Sequence, residues 1–231
     1  MMRVVLLTGL MFGLATYGAD SKEEVVAAAK KLSEAPNYSW KTTVKVPEDS
    51  QFKPGPTDGK ADKDGTILLT SSFGDNIIET VIKGEKGATT NQDGDWQSVE
   101  ELEKDTEGPG RFRVGMIRNF KAPAMQVIDL ANAAKELKKE GDVISGELTP
   151  EGAKQFMTFG RRGNGATVSN GSGSVKFWVK DGTLTKYEFH VKGSVSFNGN
   201  DREVDRTNTT EISKVGETKL VIPEAAKKKI S

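Results

Sequence analysis

From Val175 to Phe197 apolar and polar side chains alternate with a period of two. Val175, Phe177 and Val179 interleave with Lys176, Trp178 and Lys180. After Asp181-Gly182, Thr183, Thr185, Tyr187, Phe189 and Val191 share one side, and Leu184, Lys186, Glu188, His190 and Lys192 the other. This is the pattern of two strands with one buried face. A two-residue Asp181-Gly182 loop would set Phe177 against Lys186 and Val175 against Glu188. A three-residue Lys180-Asp181-Gly182 loop, with Gly182 left-handed, sets Phe177 against Thr185 and Val175 against Tyr187. That register unites the apolar side chains, so the pattern predicts the three-residue turn.

The same reading covers most of the chain. Ser21 and Glu24 have capping-box spacing and precede a stripe of Val25, Ala28, Ala29 and Leu32, which predicts a helix starting at Ser21 and ending at Ala35-Pro36-Asn37. In YSWKTTVKV, Tyr38, Trp40, Thr42, Val44 and Val46 fall on one face of a strand. Residues 47–65 are polar, with Pro47, Pro54 and Pro56, and read as a flap or a mobile loop. Strands are expected over 66–73, 76–83 and 86–96, with Asp93-Gly94 as a turn, whereas 99–115 carries no assignable pattern. Pro123 opens a helix whose stripe includes Met125, Ile128, Ala134 and Leu137, ended by Gly141. A short strand over 143–148 and a helix from Thr149-Pro150-Glu151 to about Thr158 follow. Residues 160–174 are rich in Gly, Asn and Ser and read as flexible. Beyond the hairpin come a polar strand over 203–212, a last strand over 218–222 and a short basic helix after Pro223. Helices and strands do not alternate as βαβ units, so the fold class is α+β, an antiparallel sheet with helices on one face.

The amino terminus changes the setting. MMRVVLLTGLMFGLATYGAD has an early Arg3, an apolar run from Val4 to Leu14 and small neutral residues before Asp20. That is the order of a secretory signal, and the run is too short for a spanning helix. The expected organisation is a signal peptide over 1–19 and a single domain over 20–231, exported and soluble after cleavage. The chain has no cysteine, so disulfides, thiolate metal sites and a lipid-modified Cys at the cleavage point are excluded. Its 33 basic residues balance 33 acidic ones, which gives no basic excess for nucleic acid.

No arrangement of reactive residues stands out. His190 is the sole histidine, and Ser194, Ser196 and Glu188 lie along the same strand too far apart for a triad. Asn91, Asp93 and Asp95 alternate like the start of a calcium loop, but Gly94 is misplaced, and a hairpin turn explains them. Gly160-Arg161-Arg162-Gly163 lacks the helix a phosphate loop requires, and Lys227-Lys228-Lys229 suits a solvated helix end. The reading is non-catalytic, with no metal and no cofactor. What remains is an apolar set on strand faces of one parity: Tyr38, Trp40, Phe73, Ile78, Ile82, Phe177, Tyr187, Phe189, Val191 and Phe197, facing helices that carry Met125 and Ile128. It forms either a filled core or a core enclosing a ligand cavity.

The early helix leading into YSWKTTVKV, the segment NQDGDW, VISGELTPEGAKQFM, VKFWVKDGTLTKYEFHV and the closing ETKLVIPEAA together resemble the lipoprotein-carrier superfamily. That group includes the outer-membrane lipoprotein chaperone and mycobacterial lipid-carrying lipoproteins. The resemblance implies a half-barrel, a large curved antiparallel sheet covered on its concave face by a few helices around an apolar cavity. It implies that the twelve side chains above line that cavity, with the flap over 47–65 at its rim. The implied ligand is a lipid, an acyl chain or a lipidated protein. The implied location is the periplasm or cell envelope, without a stable membrane anchor and with an envelope protein as a candidate partner. A different class of function, a periplasmic sensor or interaction module, would use the same half-barrel to bind a protein segment.

Overall fold

The computed structural model describes residues 17–50, 53–74, 76–104, 110–158, 167–197 and 200–231. The chain opens with α1 (Tyr17–Ser33) and β1 (Asn37–Lys45). Five strands follow: β2 (Thr57–Asp62), β3 (Thr66–Phe73), β4 (Asn76–Lys83), β5 (Lys86–Thr90) and β6 (Trp96–Ser98). Three helices come next: α2 (Val99–Glu103), α3 (Gly110–Arg118) and α4 (Pro123–Ala133). Then come β7 (Lys138–Glu140), β8 (Val143–Glu147) and α5 (Pro150–Met157). Three long strands, β9 (Thr167–Lys180), β10 (Thr183–Phe197) and β11 (Asn200–Ser213), precede α6 (Glu224–Lys229).

All strands join one 11-stranded antiparallel sheet in the order β6-β5-β4-β3-β2-β1-β11-β10-β9-β8-β7. Two meanders, β1 to β6 and β7 to β11, therefore meet where the first strand pairs with the last, Trp40 opposite Ile212 and Thr42 opposite Thr210. The sheet is open, and its curved inner face carries α1, α4 and α5 over β9, β10 and β1, with α2 and α3 over β5. This is the α+β antiparallel sheet that the alternation predicts, curved into the half-barrel that the resemblance implies.

The central hairpin corrects the predicted register. The turn is a two-residue one, with Asp181 at φ 50° and Gly182 at φ 66°, so Thr183 pairs with Lys180 and Leu184 with Val179. A bulge at Thr185 then shifts the ladder, and Tyr187 pairs with Phe177 and Phe189 with Val175. One extra residue flips the parity of everything beyond it. Leu184, assigned to the polar side, is consequently buried with Val179, while Thr185 is exposed and donates its hydroxyl to the Trp178 carbonyl at 3.3 Å.

The structure departs from the pattern elsewhere too. The flap over 47–65 contains β2, which sits between β1 and β3. Its inward residues are Ala61 and Gly59 because the rings of Tyr38 and Trp40 occupy the space above them; a Cβ on Gly59 would lie 2.0 Å from the Trp40 indole. The flexible reading of 160–174 falls partly outside the described residues, but from Thr167 onward the chain is β9, where Gly173 runs under Leu148. Glycine inside a strand here marks close approach, not mobility. Helix α1 is already running at Tyr17, so Ser21 lies inside it and is buried instead of capping it. Helix α4 stops at Ala133, and Gly141 (φ 61°) makes the β7–β8 turn.

The expected last strand over 218–222 makes no ladder. Thr218 is pinned beside β1, its amide donating to Asn37 Oδ1 at 2.6 Å and its hydroxyl 2.7 Å from that of Ser39. From there Leu220, Ile222, Ala226 and Ile230 cover Leu68, Val81 and Trp96 on the outer face of the sheet. Lys229 closes this tail against Glu101 of α2 at 2.6 Å.

Candidate functional site

The inner face of the half-barrel gathers much of the apolar set into one core. Tyr38, Trp40, Ile82, Phe177, Tyr187, Phe189 and Val191 are all buried there, beneath Val25, Ala29, Leu130 and Phe156 of the helices. Ile128 packs against the edge of this cluster and Ile78 is half-buried. Met125 is 50% exposed on α4. The side chains of Phe73 and Phe197 lie outside the described residues.

The core rings are arranged in two groups. Tyr38 and Trp40 lie 5.5 Å apart between centroids, and Phe120, from the α3–α4 connection, lies nearly parallel to Trp40 at 6.4 Å. Phe156 of α5 is tilted on Phe189 of β10 at 5.4 Å. The Tyr187 hydroxyl donates to Gln126 Oε1 at 2.5 Å.

A groove of about 480 Å³ opens directly above, between the α3–α4 connection and α5. Phe120, Gln126 and Phe156 form part of its wall, and Arg118, Lys121, Asp129, Glu151 and Lys154 also line it. Lys121 and Asp129 form an ion pair across its margin. The volume lies within the range of about 300–1,000 Å³ typical of small-molecule pockets. Its wall thus joins a charged rim to rings that pack on the buried aromatic face. Phe120, Gln126 and Phe156 are absent from the set chosen on sequence. Phe156 had a signal, the apolar side of the helix begun by Thr149-Pro150. Phe120 had none, because α3 was not legible.

Polar groups continue inward along β11. Arg206 donates from Nη2 to the Phe156 carbonyl at 2.6 Å, and burial holds its guanidinium below the ordinary pKa. Asn208, opposite Phe189, has a buried Nδ2 with no hydrogen bond among the described residues. Beyond it the Thr210 hydroxyl lies 2.8 Å from that of Thr42. A buried amide donor without an acceptor is costly, by about 1–3 kcal/mol, and suits a site that accepts a carbonyl or carboxylate oxygen.

Burial also sets the phenols. It pushes the Tyr38 hydroxyl up to about 12, with a backbone hydrogen bond at Ala124 pulling the other way, and it raises Tyr187 further. An unfolded phenol ionises near pH 10, so above that pH the unfolded chain loses protons that the folded chain keeps. Stability is expected to fall steadily from about pH 10 to pH 12. In a near-ultraviolet absorbance titration, the Tyr38 and Tyr187 phenolates should appear only together with loss of the folded circular-dichroism signal. Free titration of both in the folded protein would contradict their burial.

His190 lies on the opposite, outer face of β10. Its Nε2 is 2.9 Å from Asp205 Oδ1, and Lys192 approaches the same carboxylate at 3.6 Å. The His190 contact holds Asp205 below the usual carboxylate range. The pair is remote in orientation from the groove. Asn91 spends its side chain on its own turn, with Oδ1 accepting from the Asp93 and Asp95 amides at 3.0 and 2.8 Å. Among the described residues no cluster of three His, Cys, Asp or Glu could hold a metal, and no helix is long and apolar enough to cross a membrane.

No known family model matches the chain, and no curated protein matches it in sequence. Solved structures do. LprF from Mycobacterium bovis superposes with a TM-score of 0.50 at 12% identity, covering 92% of this chain and 100% of LprF. The Mycobacterium tuberculosis lipoprotein LppX superposes with a TM-score of 0.50 at 11% identity, covering 88% of this chain and 99% of LppX. At such identity the likeness concerns backbone architecture, and it runs nearly end to end. The chain has the half-barrel fold of the mycobacterial lipoproteins LprF and LppX.

Proposed function

We propose that this protein is an exported, non-catalytic carrier of an apolar ligand, a lipid or acyl chain, which enters the groove between α4 and α5. Residues 1–19 are the secretory signal and 20–231 the working domain, located in the periplasm or cell envelope. The observation that carries the reading is the groove itself, whose wall includes Phe120, stacked on Trp40, and Phe156, tilted against Phe189 of the buried sheet face. The shared architecture with LprF and LppX and the sequence resemblance to lipoprotein carriers support it. The ligand's apolar part lies along Trp40, Tyr187 and Phe189, and its polar end meets the charged rim or Asn208. Loading requires α4 and α5 to lift from the sheet, because the rings now fill the space beneath them.

Native mass spectrometry of the purified protein, paired with organic extraction, tests this. A bound species that dissociates on denaturation and partitions into the organic phase is the expected outcome. Protein that stays ligand-free, and that shows no mass shift with a fatty acid or a phospholipid, overturns it. A co-purifying protein without lipid would instead favour the interaction-module reading.

A further inference from the structure

Helix α3, GRFRVGMIR, has an outward face that the core does not explain. Gly110, Val114 and Ile117 are buried against the sheet side. At about 100° per residue, Phe112 and Met116 then fall on the far side of the helix. They are 59% and 41% exposed, unusual for such side chains on adjacent turns. The same geometry places Arg111 and Arg118 on one flank and Arg113 on the other. Helix α3 contains no acidic residue. Arg118 is paired with Glu103 at 2.6 Å, whereas Arg111 and Arg113 form no ion pair among the described residues.

An apolar ridge flanked by cations is the arrangement of a helix that lies in a bilayer interface. The ridge enters the acyl boundary while the arginines stay at phosphate level. A protein partner would need an apolar cleft bordered by carboxylates, and no feature of α3 selects for one. We infer that α3 is a reversible docking element for anionic phospholipid bilayers. It carries Phe112 and Met116 into the interface and holds Arg111 and Arg113 against lipid phosphates. Since Arg118 and the residues that follow it line the groove, a docked α3 presents the groove's rim to the membrane. Docking does not depend on the carrier reading, because a ligand-free protein would dock equally well.

Flotation of the purified chain with vesicles tests this, using phosphatidylcholine alone and an equal mixture of phosphatidylcholine and phosphatidylglycerol. Binding is expected on the anionic vesicles only and should weaken as salt is raised. The double variant Arg111→Gln/Arg113→Gln should lose roughly thirtyfold in partitioning, about fivefold per arginine. Phe112→Ser/Met116→Ser should lose roughly tenfold or more. All four side chains are at the surface or partly so, and unchanged thermal melts will confirm folding. Binding undiminished in both variants overturns the inference, since retention by the Val4–Leu14 run would persist in them. Binding abolished by Lys227→Gln/Lys228→Gln would place the contact on the tail helix and also overturn it. Equal binding to both vesicle types would exclude the arginine role.

Discussion

Gly59→Ala is expected to destabilise the protein by about 3 kcal/mol, at the top of the range for overpacking a core. Elsewhere in a strand this substitution is mildly stabilising, because alanine loses less backbone entropy on folding than glycine. Here the added methyl would sit 2.0 Å from Cε2 and 2.2 Å from Cζ2 of Trp40. The indole cannot slide aside freely, since Tyr38 and Phe120 hold it on two sides. Trp40 or β2 must therefore move, and a shift of Trp40 presses on Phe120 in the wall of the groove. Chemical denaturation with a double-mutant cycle isolates the cause: in a Trp40→Leu background the same substitution should cost less than about 1 kcal/mol. An equal penalty in both backgrounds would mean that strand conformation, not the ring, demands glycine.

Phe177→Ala is expected to cost about 3–5 kcal/mol, the usual loss for deleting a buried ring. Phe177 is fully buried between its ladder partners Tyr187 and Ile144. On the same strand Lys176 is exposed, and Lys176→Ala should change stability by no more than about 0.5 kcal/mol. The contrast between these neighbours measures how firmly the concave face is filled. A loss below about 2 kcal/mol for Phe177→Ala would show that the surrounding side chains collapse into the gap, as expected of a space that reshapes for a ligand. The full loss would show a fixed floor, and ligand entry would then be confined to the Phe120–Phe156 side.

The long strands were legible because their inner residues are large. Tyr38, Trp40, Phe177, Tyr187 and Phe189 announce a period of two, and the antiparallel sheet with one apolar face follows from them. Its curvature into a half-barrel was implied only by the family resemblance. What escaped were the places where a neighbour's bulk substitutes for a residue's own. Strand β2 reads TDGKAD and shows no apolar face because Trp40 lies over Gly59. The start of β9 reads TVSNGSG for a related reason, with Met157 of α5 near Gly171 and Leu148 against Gly173. The bulge at Thr185 was invisible because a single unpaired residue leaves no compositional trace. Helix α2 did carry a signal: Ser98 and Glu101 form a complete capping box, with Glu101 Oε2 accepting from the Ser98 amide at 2.8 Å. For the site, the sheet rings Tyr38, Trp40, Phe177, Tyr187 and Phe189 could be named in advance. The groove-wall rings Phe120 and Phe156 were not, because the groove is made by helix placement, which periodicity does not encode.

The pairing of the first strand with the last has a kinetic consequence. Each meander folds through neighbouring hairpins, whereas Trp40 meets Ile212 only after nearly the whole chain is in place. Contacts of such long sequence separation come late, because loop closure must precede them. During vectorial synthesis β1 presents a bare edge, Tyr38 and Trp40 included, until β11 emerges. That interval is when this protein is most exposed to mispairing and aggregation, and a holdase would act there by shielding the edge of β1.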